Sequence, residues 1–240
     1  MLEGAPAVFF QHGLFSSADY WVMNKEKSPA YQVAQAGYDV WFGNNRGTKY
    51  SRKHTKHDAN KDFAEYFDYS FYELGKYDAP AQIDFVREKT GQDKISYIGH
   101  SQGTSQMFSA LAEGHGDLKD KINIFIALCP ITNLYHATAD FMRWGKIYYD
   151  KLEKALSFSS IYQVEGPNWN FYKNLVCLAI PCDYIESLAV ASTLPFNNAT
   201  IVETSTARGS SAASSKQLLH YLQTTRANDF VQYDYGKKEN

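Results

Sequence analysis

Four short apolar runs divide the first half of the chain, and polar or amphipathic stretches separate them. The first, AVFFQ at Ala7–Gln11, shows no polar alternation, as a strand buried on both faces of a sheet does. The others are YDVWF at 38–42, ISYI at 95–98 and KINIFIAL at 121–128. Helical patterns lie between them. Ser28 and Pro29 supply an N-cap and a first-turn proline for a helix over 30–36, which Gly37 closes. Ala79, Ile83 and Val86 share one face of a helix over 78–90, ended by Gly91. A third helical segment opens just after residue 101 and runs towards Gly114. Strands alternating with helices over 7–128 predict an α/β core, a mostly parallel sheet with helices on both faces.

After Cys129 and Pro130 the alternation stops. Residues 131–228 carry aromatic-rich helical patches, a Gly-Pro-Asn-Trp turn at 166–169 and a Ser/Thr/Ala/Gly tract at 205–215. An insertion placed after a sheet strand reads as a cap or lid over the strand ends; the competing reading is a separate helical domain. Ser214 to Gln217 can cap a helix carrying Leu218, Leu219 and Leu222, and residues 229–236 lead back towards the core. The expected division is therefore a partial core at 1–130, a cap at 131–228 and the start of a return at 229–240. Residues 48–69 mix polar and aromatic side chains without period and read as a long surface loop.

Composition narrows the function. The 240 residues suffice to bury a substantial core, and a net charge of −2 leaves no electrostatic footprint for nucleic acid. The basic cluster at Arg52, Lys53, His54, Lys56 and His57 is offset by Asp58, Asp62 and Glu65. No apolar run approaches the roughly 18 residues of a spanning helix. Residues 1–6 show no charged n-region or apolar h-region, so no signal peptide is visible. Aromatic side chains make up 15%, with 18 Tyr and 15 Phe, which suits a site for large apolar ligands.

The chemistry concentrates where ISYI runs into Gly99-His100-Ser101-Gln102-Gly103. G-x-S-x-G between a strand and a helix describes a nucleophile elbow, which holds the serine in a strained turn with its Oγ exposed. Gly99 and Gly103 flank it because a Cβ at either place would strike the neighbouring strand or helix. The bland alternative is a Gly/Ser turn closing a strand. The first strand ends in His12-Gly13-Leu14, where Gly13 permits a tight turn that aims the next amides at a ligand. Together these make Ser101 the candidate nucleophile and the amides of Leu14 and Gln102 the candidate oxyanion donors.

At this point the chain resembles the acid lipase family, the gastric and lysosomal lipases of the α/β-hydrolase superfamily. The resemblance rests on FFQHGL (9–14), AGYDVWFGNNRG (36–47), KYDAPAQIDFV (76–86), ISYIGHSQGT (95–104), ALCP (127–130) and FVQYDYG (230–236), in the family's order and spacing. It implies an α/β-hydrolase fold with a helical cap, and hydrolysis of triacylglycerols or steryl esters at a lipid–water interface through Ser101. It implies no cofactor, and a secreted or lysosomal location; no Cys/His set has zinc spacing, so no metal site is expected.

The resemblance fails at the triad's other members. A serine needs a base, and the base a group to orient it; in this superfamily the chain order is Ser, Asp, His. The family carries both on loops after two further strands, whereas this sequence ends at Asn240 and begins eight residues before FFQHGL. It reads as a fragment, a partial gene model or a decayed copy. Of the histidines beyond Ser101, His115 stands about 20 Å along a helix, His136 lies in the cap, and His220 sits mid-helix beside leucines. Asp140, Asp150 and Asp183 lack a strand-end setting, so the triad Asp and His stay unassigned. Cys129, Cys177 and Cys182 are an odd set, with only Pro181 offering a break that would let the latter two bridge. Asn198-Ala199-Thr200 is a glycosylation sequon. Three functions compete: an acid-lipase-like serine hydrolase, an inactive relative that binds lipid or a partner, and an esterase for small acyl esters.

Overall fold

The computed structural model describes residues 4–164 and 211–236. The turn at 166–169, Cys177, Pro181, Cys182, Asp183, the sequon at Asn198 and most of the tract at 205–215 lie outside the described residues. Contacts divide the chain into two compact units. One comprises Met1–Arg52 and Phe71–Ile131, the other Lys53–Ser70 and Thr132–Asn240.

The first unit is built on a four-stranded, all-parallel sheet, in the order β2-β1-β3-β4. These strands are β1 (Ala7–Gln11), β2 (Asp39–Gly43), β3 (Ile95–His100) and β4 (Ile122–Leu128). Every residue of β1 is buried because it is paired on both sides and covered on both faces. Alternation along the strand divides its side chains between two cores. Ala7 and Phe9 join Ile95, Tyr97, Ile83 and Met107 on one face, whereas Val8 and Phe10 join Trp21 and Ala30 on the other. β2 and β4 are the sheet's edges among the described residues, and β4 leaves Ile124, Ile126 and Leu128 exposed.

Local chemistry explains the connecting helices. α1 (Pro29–Gln35) starts at its proline, but the Ser28 hydroxyl accepts the Asn24 N–H rather than capping the helix. The short helices α2 (Phe63–Tyr66) and α3 (Phe71–Glu73) follow β2 in sequence. One π-helical turn (Leu74–Asp78) then leads into α4 (Ala79–Thr90), which ends where Gly91 adopts φ 69°. The elbow strand β3 runs into α5 (Gln102–Ala112), and α6 (Leu118–Lys121) precedes β4.

The second unit packs α7 (Asp140–Phe158) on α8 (Ser215–Thr224), with Tyr149, Leu219 and Leu222 at its core. A two-residue antiparallel ladder, β5 (Gln163–Val164) with β6 (Ala213–Ser214), adjoins them; the sequence pattern did not predict it. The stretch over 48–69 is not wholly the surface loop its composition suggests. From residue 53 it belongs to this unit, it contains α2, and Tyr66, Phe67 and Tyr69 are buried. Residues 229–236 form no strand and group with the same unit.

Ser214 holds three segments of this unit together. Its hydroxyl accepts from the Gln217 N–H at 3.0 Å, the Gln217 side chain accepts the Ser214 N–H at 2.8 Å, and the same hydroxyl donates to the Tyr69 carbonyl. Ser214→Ala is expected to lower unfolding stability by about 1–2 kcal/mol, since it removes a cap and leaves a buried carbonyl without its donor. Urea titration measures the loss, and hydrogen exchange should localise it to the first turn of α8; unchanged protection there would contradict this assignment.

Candidate active site

The elbow is built from the end of one strand and the start of one helix. β3 ends at His100, Ser101 takes φ 51° and ψ −114°, and α5 begins at Gln102. A non-glycine residue pays strain for positive φ, so the surroundings must hold it there. They do so with hydrogen bonds at both ends. The Ser101 N–H donates to the Leu128 carbonyl at 3.0 Å, and the Ser101 carbonyl accepts from the Thr104 hydroxyl at 2.6 Å and the Thr104 N–H at 2.9 Å. Thr104 Oγ1 in turn accepts the Ile131 N–H, and Ser105 Oγ donates to the Ile131 carbonyl.

The flanking glycines allow strand and helix to meet. A Cβ on Gly103 would stand 2.6 Å from the Gln11 carbonyl oxygen, and one on Gly99 would stand 2.7 Å from the Gly103 carbonyl oxygen. Both contacts are to backbone, which cannot swing away. The loop after β1 also comes close, though less so: a Cβ on Gly13 would lie 3.1 Å from Ser101 Cβ. That loop folds into a turn in which the Ser16 N–H donates to the Gly13 carbonyl and Phe15 adopts φ 57°. Leu14 therefore sits in a turn adjoining Ser101. Gln102 opens α5, where helix geometry supplies no intrahelical acceptor for its N–H.

Beneath this loop lies a polar junction. His12 is 2% exposed; its Nδ1 donates to the Gly13 carbonyl at 2.7 Å and its Nε2 accepts the Asn45 N–H at 3.2 Å. The Asn45 amide donates to Gln106 Oε1 at 2.8 Å, tying the loop after β2 to the elbow helix. The same loop is anchored by Arg46, whose N–H and guanidinium both bind Asp78. Burial lowers His12 to about 4, with the Gly13 bond opposing and His100 adding to the shift. His100 is also lowered, by burial. Tyr20 stacks on the His100 ring at 4.6 Å, its hydroxyl 3.4 Å from Nε2.

His115 follows the far end of α5, near Glu113 (3.8 Å) and edge-on to Tyr72. His136 is exposed and His220 fully buried, both in the second unit; the His220 Nε2 donates to the Val231 carbonyl at 2.9 Å. Asp140 pairs with Arg143 and Asp150 with Arg226. Sequence reasoning assigned no role to Tyr20, Asn45 or Gln106. Asn45 lies inside AGYDVWFGNNRG at 36–47, which is its only signal in the sequence; Tyr20 and Gln106 carry none.

A family model described as the alpha/beta hydrolase fold matches residues 6–231. Lipase lipl-1 of Caenorhabditis elegans is 36% identical over 98% of the chain and 60% of its own length. The human lysosomal acid lipase/cholesteryl ester hydrolase is 32% identical over 96% of the chain and 58% of its own length. The mouse gastric triacylglycerol lipase is 33% identical over 96% and 59%. The chain thus spans about three fifths of the length of these curated relatives. A candidate lipase from Sulfolobus solfataricus has the same fold, with a TM-score of 0.60 at 17% identity over 90% of this chain and 67% of that one.

Two outcomes follow from the geometry. Gly103→Ala should cost about 1–3 kcal/mol of stability, because β1 or α5 must shift to clear the Gln11 carbonyl; an unchanged denaturation midpoint would show that the approach is looser than described. The second concerns pH. An unfolded histidine titrates near 6.5 and the folded His12 at about 4, so the unfolded chain takes up the proton first as pH falls. The stability this residue provides is complete above the unfolded value and is lost as pH falls through the folded one, by about 3 kcal/mol in total. Urea midpoints compared between wild type and His12→Gln should show that the variant lacks this component of the acid slope; parallel slopes would refute the assignment.

Proposed function

The chain belongs to the alpha/beta hydrolase fold family, and from that membership we propose that it is a serine ester hydrolase of lipase type. Ser101 serves as the nucleophile that forms an acyl-enzyme, and the amides of Leu14 and Gln102 serve as the oxyanion hole. Gly99, His100 and Gly103 form the elbow. The observation that carries this reading is Ser101 held at φ 51° between β3 and α5, with the Gly13 turn packed against it. The substrates are triacylglycerols or steryl esters presented at a lipid–water interface, as the names of the gastric and lysosomal relatives suggest. The chemistry uses protein groups without a cofactor. Residues 131–228 act as cap and lid, and the protein works in a secreted or lysosomal setting. The triad Asp and His are not assigned to residues of this chain.

A second reading is favoured by two observations. Both ring nitrogens of His12 are engaged, and His115 stands a helix length from Ser101. A lipase-like protein that binds lipid without turning it over would look the same. Hydrolysis of a chromogenic ester by the 240-residue chain, beside Ser101→Ala, separates the two. Loss of a working nucleophile costs on the order of 10⁶-fold in kcat, so turnover that vanishes in Ser101→Ala supports the hydrolase. Equal background rates in both proteins would mean that the chain is an incomplete or a retired hydrolase, and lipid binding that survives Ser101→Ala would then identify the binding protein.

A further inference from the structure

α7 carries two apolar stripes on opposite sides. Met142, Gly145, Tyr149, Leu152 and Leu156 recur at alternating steps of three and four, which line up on one side of a helix with about 3.6 residues per turn. This inner stripe packs on α8; Gly145 meets the Leu222 side chain, and Tyr149 is buried with Leu219 and Leu222. The second stripe, which Asp140 opens and Trp144, Ile147, Lys151, Lys154 and Phe158 continue, repeats the same steps on the side of the helix opposite the first. Its three apolar members are exposed, Trp144 by 48%, Ile147 by 72% and Phe158 by 93%. They extend over about 21 Å along α7, whose backbone kinks at Tyr148 (φ −106°, ψ 15°) between the two halves of the row. Singly exposed apolar side chains are ordinary, but an aligned row of Trp, Ile and Phe is not.

Charge on the same helix is sorted. Asp150 pairs with Arg226 at 2.8 Å, Glu153 accepts from the Tyr149 hydroxyl at 3.1 Å, and Asp140 faces Arg143 at the helix start. Asp150 and Glu153 thus lie beside the apolar row and are engaged by neighbours, Asp140 opens the row with Arg143 4.0 Å away, and Lys151 and Lys154 stand exposed within it. A partner helix would have to bury those two ammonium groups at its seam. At a lipid surface they can instead extend along the apolar row and place their charges among anionic headgroups. No helix among the described residues is long and apolar enough to cross a membrane, so the fitting mode is to lie on one.

We propose that the outward face of α7, formed by Trp144, Ile147 and Phe158 with Lys151 and Lys154, docks the protein onto an anionic lipid surface. This names the surface by which the proposed lipase meets its substrate phase. It rests on that reading for its purpose, but on the helix alone for its residues.

The test is vesicle flotation of the 240-residue chain on phosphatidylcholine with and without phosphatidylserine. The wild type should float with the anionic vesicles, and the tryptophan emission lost in Trp144→Phe should shift to the blue on binding. Ile147→Asp combined with Phe158→Asp should reduce binding at least about tenfold on both vesicle types. Lys151→Glu combined with Lys154→Glu should abolish only the preference for phosphatidylserine. All these side chains face solvent, so circular dichroism should remain that of the wild type. Wild type that stays with the vesicle-free fraction, or an apolar double variant that floats undiminished, would overturn the proposal. So would sedimentation showing a wild-type dimer that the apolar variant converts to monomer, which would make the face a self-association surface. Covalent labelling of Ser101 by a soluble fluorophosphonate, measured without vesicles, reports on the hydrolase reading separately. Labelling without flotation defeats the docking face alone, and flotation without labelling defeats the nucleophile alone.

Discussion

A backbone-to-backbone approach governs the candidate site: the start of α5 lies so close to the end of β1 that Gly103 has no room for a Cβ beside the Gln11 carbonyl. The approach is possible because β1 and β3 are parallel neighbours in register, with Gln11 opposite Gly99. Once the strands align in this way, their C-terminal ends emerge together. The turn after β1 and the turn after β3 then share one small volume, and Gly13 is carried against Ser101. The buried Tyr97 hydroxyl, donating to the Gly103 carbonyl at 2.9 Å, ties the helix start to the strand that feeds it. The strained serine is therefore a consequence of strand order and register as much as of its own pentapeptide.

The junction below the site shows why a buried histidine can remain neutral. As the neutral tautomer, His12 offers a donor to Gly13 and an acceptor to Asn45, so each nitrogen meets a complementary group. A proton on Nε2 would set two donors, imidazolium N–H and Asn45 N–H, against each other in a site without solvent. Burial is the larger effect and the neighbouring His100 adds to it, while the Nδ1 bond to the Gly13 carbonyl opposes both. The loop after β2 is thereby coupled to the loop after β1 through one ring. Its other supports, Asn45 to Gln106 and Arg46 to Asp78, hold it to α5 and to the turn that leads into α4.

The parts of the molecule readable in the sequence are those in which local pattern and tertiary role coincide. β1 was legible as AVFFQ because a strand paired and covered on all sides must be apolar at every position. Ser101 was legible because the close approach on either side requires glycine, leaving G-x-S-x-G as its trace. The Ser214–Gln217 capping box was legible for the same local reason. What escaped depends on partners distant in sequence. The π-helical turn at Leu74–Asp78 carries no distinctive composition. Tyr66, Phe67 and Tyr69 look like loop aromatics until the second unit buries them. Asn45 acquires its place only from His12 and Gln106, 33 and 61 residues away, and Tyr20 only from His100.

α7 presents the opposite case, a pattern that the fold explains on one side and not on the other. Its inner stripe is accounted for by α8, where Leu222 fills the space that Gly145 leaves. The outer stripe contributes nothing to that packing, and in water each of its apolar side chains forgoes about 1.5–3 kcal/mol of burial free energy. Folding alone gives no reason for the same three-and-four spacing to recur on both sides of one helix. The acids provide the sharper argument. Asp150 and Glu153 lie off the ridge and are held by Arg226 and Tyr149, so beyond Asp140 at the helix start, which Arg143 faces, the exposed ridge presents lysines among its apolar side chains. A helix arranged only for solubility would have no need to separate its charges in this way; a helix that meets an anionic apolar phase would.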